Sequence, residues 1–204
     1  MRRSPNSVGG FTLLELFTVV VVIAILFGIA FPSYISVLRR ARKTQAQNEL
    51  SQIVTAVNAF YTEYGQYPLV TADKIIAGST TPSNADLFYT LRAVSGGLNL
   101  NNAVNTRAIV YIQPPISKTG TKGGVNSTTG TWYDPYGSPY VVMIDGNYDN
   151  QLANPYSASA GPTPNLQAGV IAWSFGIDLQ SQSVPGPAPD KNKGTNADDV
   201  LSWW

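Results

Sequence analysis

Residues 11–31 read FTLLELFTVVVVIAILFGIAF, an apolar run whose one charge is Glu15. About 20 such residues cross the hydrocarbon core of a bilayer as a helix, so 11–31 is expected to span a membrane. Glu15 is the anomaly. An ionised carboxylate at that depth costs several kcal/mol, roughly 2.5–3.5 on insertion scales, unless it meets a cation or takes up a proton. No Lys or Arg lies inside the run. Cutting the chain after Gly10 would put a new α-ammonium on Phe11, about one helical turn from Glu15. That amine, or the amine of a neighbouring copy, can neutralise the carboxylate. The alternative is that Glu15 reaches back to the interface, as long polar side chains do near the end of a span.

Upstream, residues 1–10 are short and polar, carry Arg2 and Arg3, and end in Gly9-Gly10. A secretory signal has its cleavage site after the apolar core, whereas here the glycines precede it. Cleavage before the core would keep the membrane helix in the product. An uncleaved anchor accounts for the hydrophobicity but not for the glycine pair or the carboxylate.

The segment Gly10-Phe11-Thr12-Leu13-Leu14-Glu15-Leu16 resembles the processing and methylation site of type IV prepilins and pseudopilins. The resemblance implies that a prepilin peptidase cuts after Gly10 and methylates Phe11, and that Glu15 guides docking into a filament. Pro32 falls where these proteins often carry a helix-bending proline, and an internal proline removes a backbone donor. The cluster Arg39, Arg40, Arg42 and Lys43 outweighs Arg2 and Arg3, so a positive-inside count would place the C-terminal part in the cytoplasm. The resemblance implies the reverse: a single-pass inner-membrane protein with a cytoplasmic N-terminus and a periplasmic domain.

Beyond Pro32 the helix is expected to continue. Leu50, Ile53, Val54, Val57, Phe60, Tyr61 and Tyr64 recur at steps of three and four, while Gln47, Glu49, Gln52 and Glu63 mark polar positions. Gly65 and Pro68 end it. The expected organisation is a leader at 1–10, a long helix at 11–65, and a globular domain at 66–204. Within that domain, 69–106 reads as an elaborated connection with a short helix near 85–94. Strand candidates follow at 108–113, 140–144 and 170–175, and the loops 118–130 and 150–164 read as exposed. The predicted fold is α+β and pilin-like, with the long helix packed on a small antiparallel sheet.

The run Trp132-Tyr133-Asp134-Pro135-Tyr136-Gly137-Ser138-Pro139-Tyr140 reads as a tight turn feeding a strand, with Gly137 free to take positive φ. It also resembles the Asp-Pro-aromatic-Gly-x-Pro-Tyr run of major pseudopilins of type II secretion systems. The segments 174–178 and 196–203 resemble the ending of those proteins. There the terminal loop binds calcium, which implies Asp178, Asp198 and Asp199 as ligands; without the resemblance they read as solvated turn aspartates. The Pro-rich loop 184–189 separates them.

The chain has no Cys and no His, so disulfides, thiolate metal sites, Ser-His triads and imidazole ligands are excluded. With 13 basic and 12 acidic residues, nothing in the charge balance points to nucleic acid. These absences weigh against hydrolase chemistry, and the resemblance implies a structural role and not an enzymatic one. A pseudopilus subunit would partner copies of itself, other pseudopilins, prepilin peptidase and the inner-membrane secretion machinery. A type IV pilus subunit shares every N-terminal feature. A tethered binding module presenting Trp132, Tyr133, Tyr136 and Trp173 is the reading from a different class.

Overall fold

Ala46, Leu50, Ile53, Val57 and Phe60 follow one another at three- and four-residue steps, and all five are buried along one side of a single helix. The computed structural model describes residues 10–180 and 189–204, except for the side chains at 30 and 32. Helix α1 runs Leu13–Tyr64, close to the expected 11–65. Gly65 ends it with φ of 69°, its N–H donating to the Tyr61 carbonyl at 2.8 Å, as a left-handed C-terminal glycine does. Residues 1–9 of the leader expected at 1–10, and the Pro32 side chain on which the expected bend rests, lie outside the described residues.

Residues up to Ala41 form one unit, and Arg42–Trp204 form a second that includes the rest of α1. The second unit contains β1 (Lys74–Ile76), α2 (Asn84–Leu91), β2 (Gly124–Val125), β3 (Trp132–Tyr133), β4 (Val141–Ile144), β5 (Leu152–Ala153), β6 (Asn165–Leu166), β7 (Val170–Ser174) and β8 (Val200–Leu201). Its main sheet is antiparallel, in the order β1-β4-β7-β8, with Val142 opposite Ala172 and Trp173 opposite Leu201. Two small hairpins, β2-β3 and β5-β6, stand beside it.

Both faces of the sheet are covered. Alternation along β4 and β7 sends Val142, Ile144, Val170 and Ala172 into the cluster with α1, and Val141, Met143, Ile171 and Trp173 into a second cluster. The second cluster is closed by Leu152, Tyr156, Ala160 and Leu166. Residues 150–164, expected to be an exposed loop, are therefore a cover whose Leu152 and Tyr156 are fully buried. Its Gly, Pro and Asn residues make the turns, and the few apolar ones carry the packing.

The strand expected at 108–113 does not form. Ala108 has φ of 52°, Tyr111 donates its N–H to the Leu91 carbonyl at 2.9 Å, and Pro114-Pro115 cannot donate to a ladder. Ile112 is buried all the same, so the alternation reflected packing and not pairing. The strands expected at 140–144 and 170–175 are β4 and β7. Ser83 caps α2 in a reciprocal capping box with Asp86, and the helix points Leu87, Phe88 and Leu91 inward. Buried Asn84 ties it to the hairpin, accepting from the Trp132 N–H at 2.8 Å and donating to the Tyr140 carbonyl at 2.6 Å.

Candidate functional site

The start of α1 has the composition of a membrane span and no covering. It is long and apolar enough to cross a bilayer. Phe11 is 86% exposed, and the large apolar side chains from Leu13 to Leu38 described here are exposed as well. Gly10 has open space around its Cα. Thr12 donates both its N–H and its hydroxyl to Glu15 Oε2 at 2.8 Å, and the Glu15 N–H donates to the Thr12 hydroxyl at 3.2 Å. This is a capping box, and the spacing Thr-x-x-Glu before an apolar run was its sequence signal. With the Gly10-Phe11 bond intact, the carboxylate is held by the helix terminus. Arg39, Arg40, Arg42 and Lys43 are exposed, and among the described residues no carboxylate pairs with any of them.

In the second unit, Asp134 organises the turn that the sequence pointed to. Its Oδ1 accepts from the backbone N–H groups of Tyr136, Gly137 and Ser138 at 2.8, 2.6 and 2.9 Å, and its Oδ2 accepts from the Ser174 hydroxyl. The turn is thereby fastened to the end of β7. Gly137 has φ of 121°, as the turn reading required. Burial pushes the Asp134 carboxyl up, while those donors pull it down.

The terminal aspartates lie near one another, but each is occupied differently. Asp178 Oδ1 accepts from the Gln180 N–H at 2.9 Å. Asp198 Oδ2 accepts from the N–H groups of Ile177 and Asp178, the latter at 3.1 Å, and so pins the end of the chain to the turn after β7. Asp199 is 2% exposed and its Oδ2 accepts from the Tyr156 hydroxyl at 2.5 Å. Burial pushes the Asp199 carboxyl up to about 7, against the pull of Tyr156 and Lys191. The Trp203 indole N–H donates to the Ala160 carbonyl at 2.8 Å. Together these contacts make a clasp of the last residues onto the 150–164 cover and the turn after β7.

Residues 32–104 match the family described as type IV minor pilin ComP, DNA uptake sequence receptor. The chain is 30% identical over 119 residues to the type IV major pilin protein PilA of Myxococcus xanthus (strain DK1622), covering 58% of this chain and 52% of that protein. It is 32% identical over 90 residues to the fimbrial protein EcpC of Eikenella corrodens, covering 44% and 57%. The chain is type IV pilin-like. It spans about half the length of the curated relatives it matches. No solved structure matches it. The likeness is to structural proteins and not to enzymes.

In this pilin-like chain, the residues expected to present a binding face are largely core. Trp132, Trp173 and Tyr136 are buried, and only Tyr133 is half-exposed. Trp132 is packed edge-on by Phe88 and Tyr140. The expected calcium ligands do not fit a divalent ion as arranged. Calcium takes six to eight oxygens, yet Asp198 and Asp199 each spend an oxygen on the chain's own donors. Among the described residues, no group of three carboxylates could hold a metal. Residues 184–188 of the Pro-rich loop lie outside the described set.

Two functional-looking residues escaped the sequence reading. Glu49, assigned to the polar side of the helix, is 6% exposed and accepts from the Tyr140 hydroxyl at 2.5 Å and from Gln45 Nε2 at 2.8 Å. Lys191, between the Pro-rich loop and the terminal aspartates, is 7% exposed. Nothing in the spacing of either residue announces its burial.

Proposed function

We propose that this chain is a subunit of a type IV pilus-like filament, stored in the inner membrane and assembled through the start of α1. The observation that supports this is the uncovered apolar surface from Phe11 to Leu38, on a helix whose later turns bury one apolar side. Such a surface requires lipid or other copies of itself, and membrane storage followed by assembly provides each in turn. Cleavage after Gly10 frees the α-amine of Phe11. That amine on a neighbouring copy offers Glu15 a stronger partner than Thr12, so the carboxylate favours addition in register.

The pilin and fimbrial matches support a pilus more than the pseudopilus of a type II secretion system. The pseudopilus is retained as the second reading on one observation, the Asp134 turn, whose Asp-Pro-aromatic-Gly-x-Pro-Tyr sequence resembles that class. DNA reception, named in the description of the matched family, gains nothing from a chain whose 13 basic and 12 acidic residues nearly cancel.

The test is mass spectrometry of the membrane-expressed chain with and without a prepilin peptidase, together with electron microscopy of sheared filaments. The expected product begins at methylated Phe11, the Gly10→Val chain stays whole, and the Glu15→Ala chain is cut but absent from filaments. An intact N-terminus in the presence of active peptidase would overturn processing. Equal incorporation of the Glu15→Ala chain would overturn the docking role.

A further inference from the structure

Burying a lysine is expensive, because its ammonium gives up strong hydration for whatever partners the fold supplies. The Lys191 ammonium donates to the backbone carbonyls of Asn196 at 2.9 Å and Ala197 at 3.2 Å. No carboxylate lies within ion-pair distance of it among the described residues. It nevertheless feels the negative charge of Asp199 and Asp198, which partly offsets its burial, while Lys43 opposes it. Its backbone is fixed as well, since the Lys191 N–H donates to the Ser159 hydroxyl at 2.8 Å and the Ser157 N–H donates to the Pro189 carbonyl at 2.8 Å.

A positive charge held by backbone carbonyls, close to carboxylates but not paired with them, is the environment of a hard cation in an oxygen site. Two further oxygens of the closing turn, Asp199 Oδ1 and Thr195 Oγ1, are buried and have no hydrogen-bond partner among the described residues. The terminal clasp thus has the oxygen chemistry of a cation site, and a side chain of the protein already supplies the cation.

We propose that Lys191 is the resident cation of the C-terminal clasp, its ammonium standing where a divalent ion would otherwise be needed, so that the clasp closes without metal. The tether is covalent, so closure depends on neither the calcium concentration nor a chelator. Removing the ammonium while keeping the stem leaves carbonyls, a carboxylate and a hydroxyl without a counter-charge. Those oxygens make up part of the six to eight that calcium takes, with water able to complete the shell, so the altered chain is expected to become calcium-responsive.

The test uses the full chain in detergent, with thermal unfolding followed by tryptophan fluorescence in excess EGTA or in millimolar calcium, and calcium binding to the wild type measured by calorimetry. The wild type is expected to melt at the same temperature in both buffers and to release no binding heat. Lys191→Met is expected to melt several degrees lower in EGTA and to recover part of that loss in calcium. Saturable calcium binding to the wild type with a rise in its melting temperature would overturn the proposal. So would a Lys191→Met chain that melts like the wild type in EGTA, or one whose loss calcium leaves untouched, since Lys191 would then be packing alone. If Lys191→Met does not fold, the wild-type calorimetry still decides between an ammonium and a metal.

Discussion

Replacing Tyr140 with Phe removes one hydroxyl and keeps the ring that packs edge-on against Trp132 at a centroid distance of 5.5 Å. The hydroxyl donates to Glu49 Oε2 at 2.5 Å, and both residues are buried, Tyr140 completely and Glu49 to 6% exposure. A hydrogen bond to a charged group contributes about 1.5–3 kcal/mol, and one to a neutral group about 1. Burial raises the Glu49 carboxyl above its ordinary range, and Tyr140 and Gln45 pull it back. Tyr140→Phe therefore costs about 2 kcal/mol where Glu49 is ionised, and less as falling pH protonates it. For a domain of this size that is a drop of about 4–8 °C in melting temperature at neutral pH. Thermal unfolding of wild type, Tyr140→Phe, Glu49→Gln and the double variant in detergent measures it, and the cycle should return a coupling of about 1 kcal/mol or more. A loss below about 1 °C, or one independent of pH, would refute the claim that this bond fastens the sheet to α1.

Two other perturbations test the clasp. The Asp199 carboxyl sits at about 7 when folded against 3.8 for the free group, so the folded chain holds its proton more tightly than the unfolded chain does. Its stabilising share is full below the unfolded value and is lost as pH rises through about 7, so melting temperature should fall from about pH 5 to about pH 8. Asp199→Asn should flatten that slope, leaving the contributions of Glu49 and Asp134, whose carboxyls burial also raises, and an unchanged slope would remove Asp199 from the account. Gly176 has φ of 69° and an added Cβ would lie 2.5 Å from the Asp198 carbonyl oxygen. Gly176→Ala should cost more than about 1 kcal/mol and raise protease sensitivity of the last residues, whereas wild-type resistance would show that the approach there is not tight.

The sequence by itself determined α1, because a helix is a local structure. The apolar run, the periodic residues from Leu50 to Phe60 and the Gly65 stop are all readable from near neighbours, as was the Thr12-Glu15 cap that went unread. The Asp134 turn and strands β4 and β7 were legible for the same reason, having dense apolar or turn chemistry within a few residues. The tertiary structure decided what depends on partners far along the chain. Residues 108–113 have the alternation of a strand but pack without a ladder, because the Leu91 carbonyl and two prolines take them out of pairing. Residues 150–164 have the composition of a loop but close the second face of the sheet. Glu49 and Lys191 carry charges that any local reading places in water. Their burial follows from a hydroxyl 91 residues away in one case and from the carbonyls of a closing turn in the other, where desolvation is offset only once the whole domain has folded.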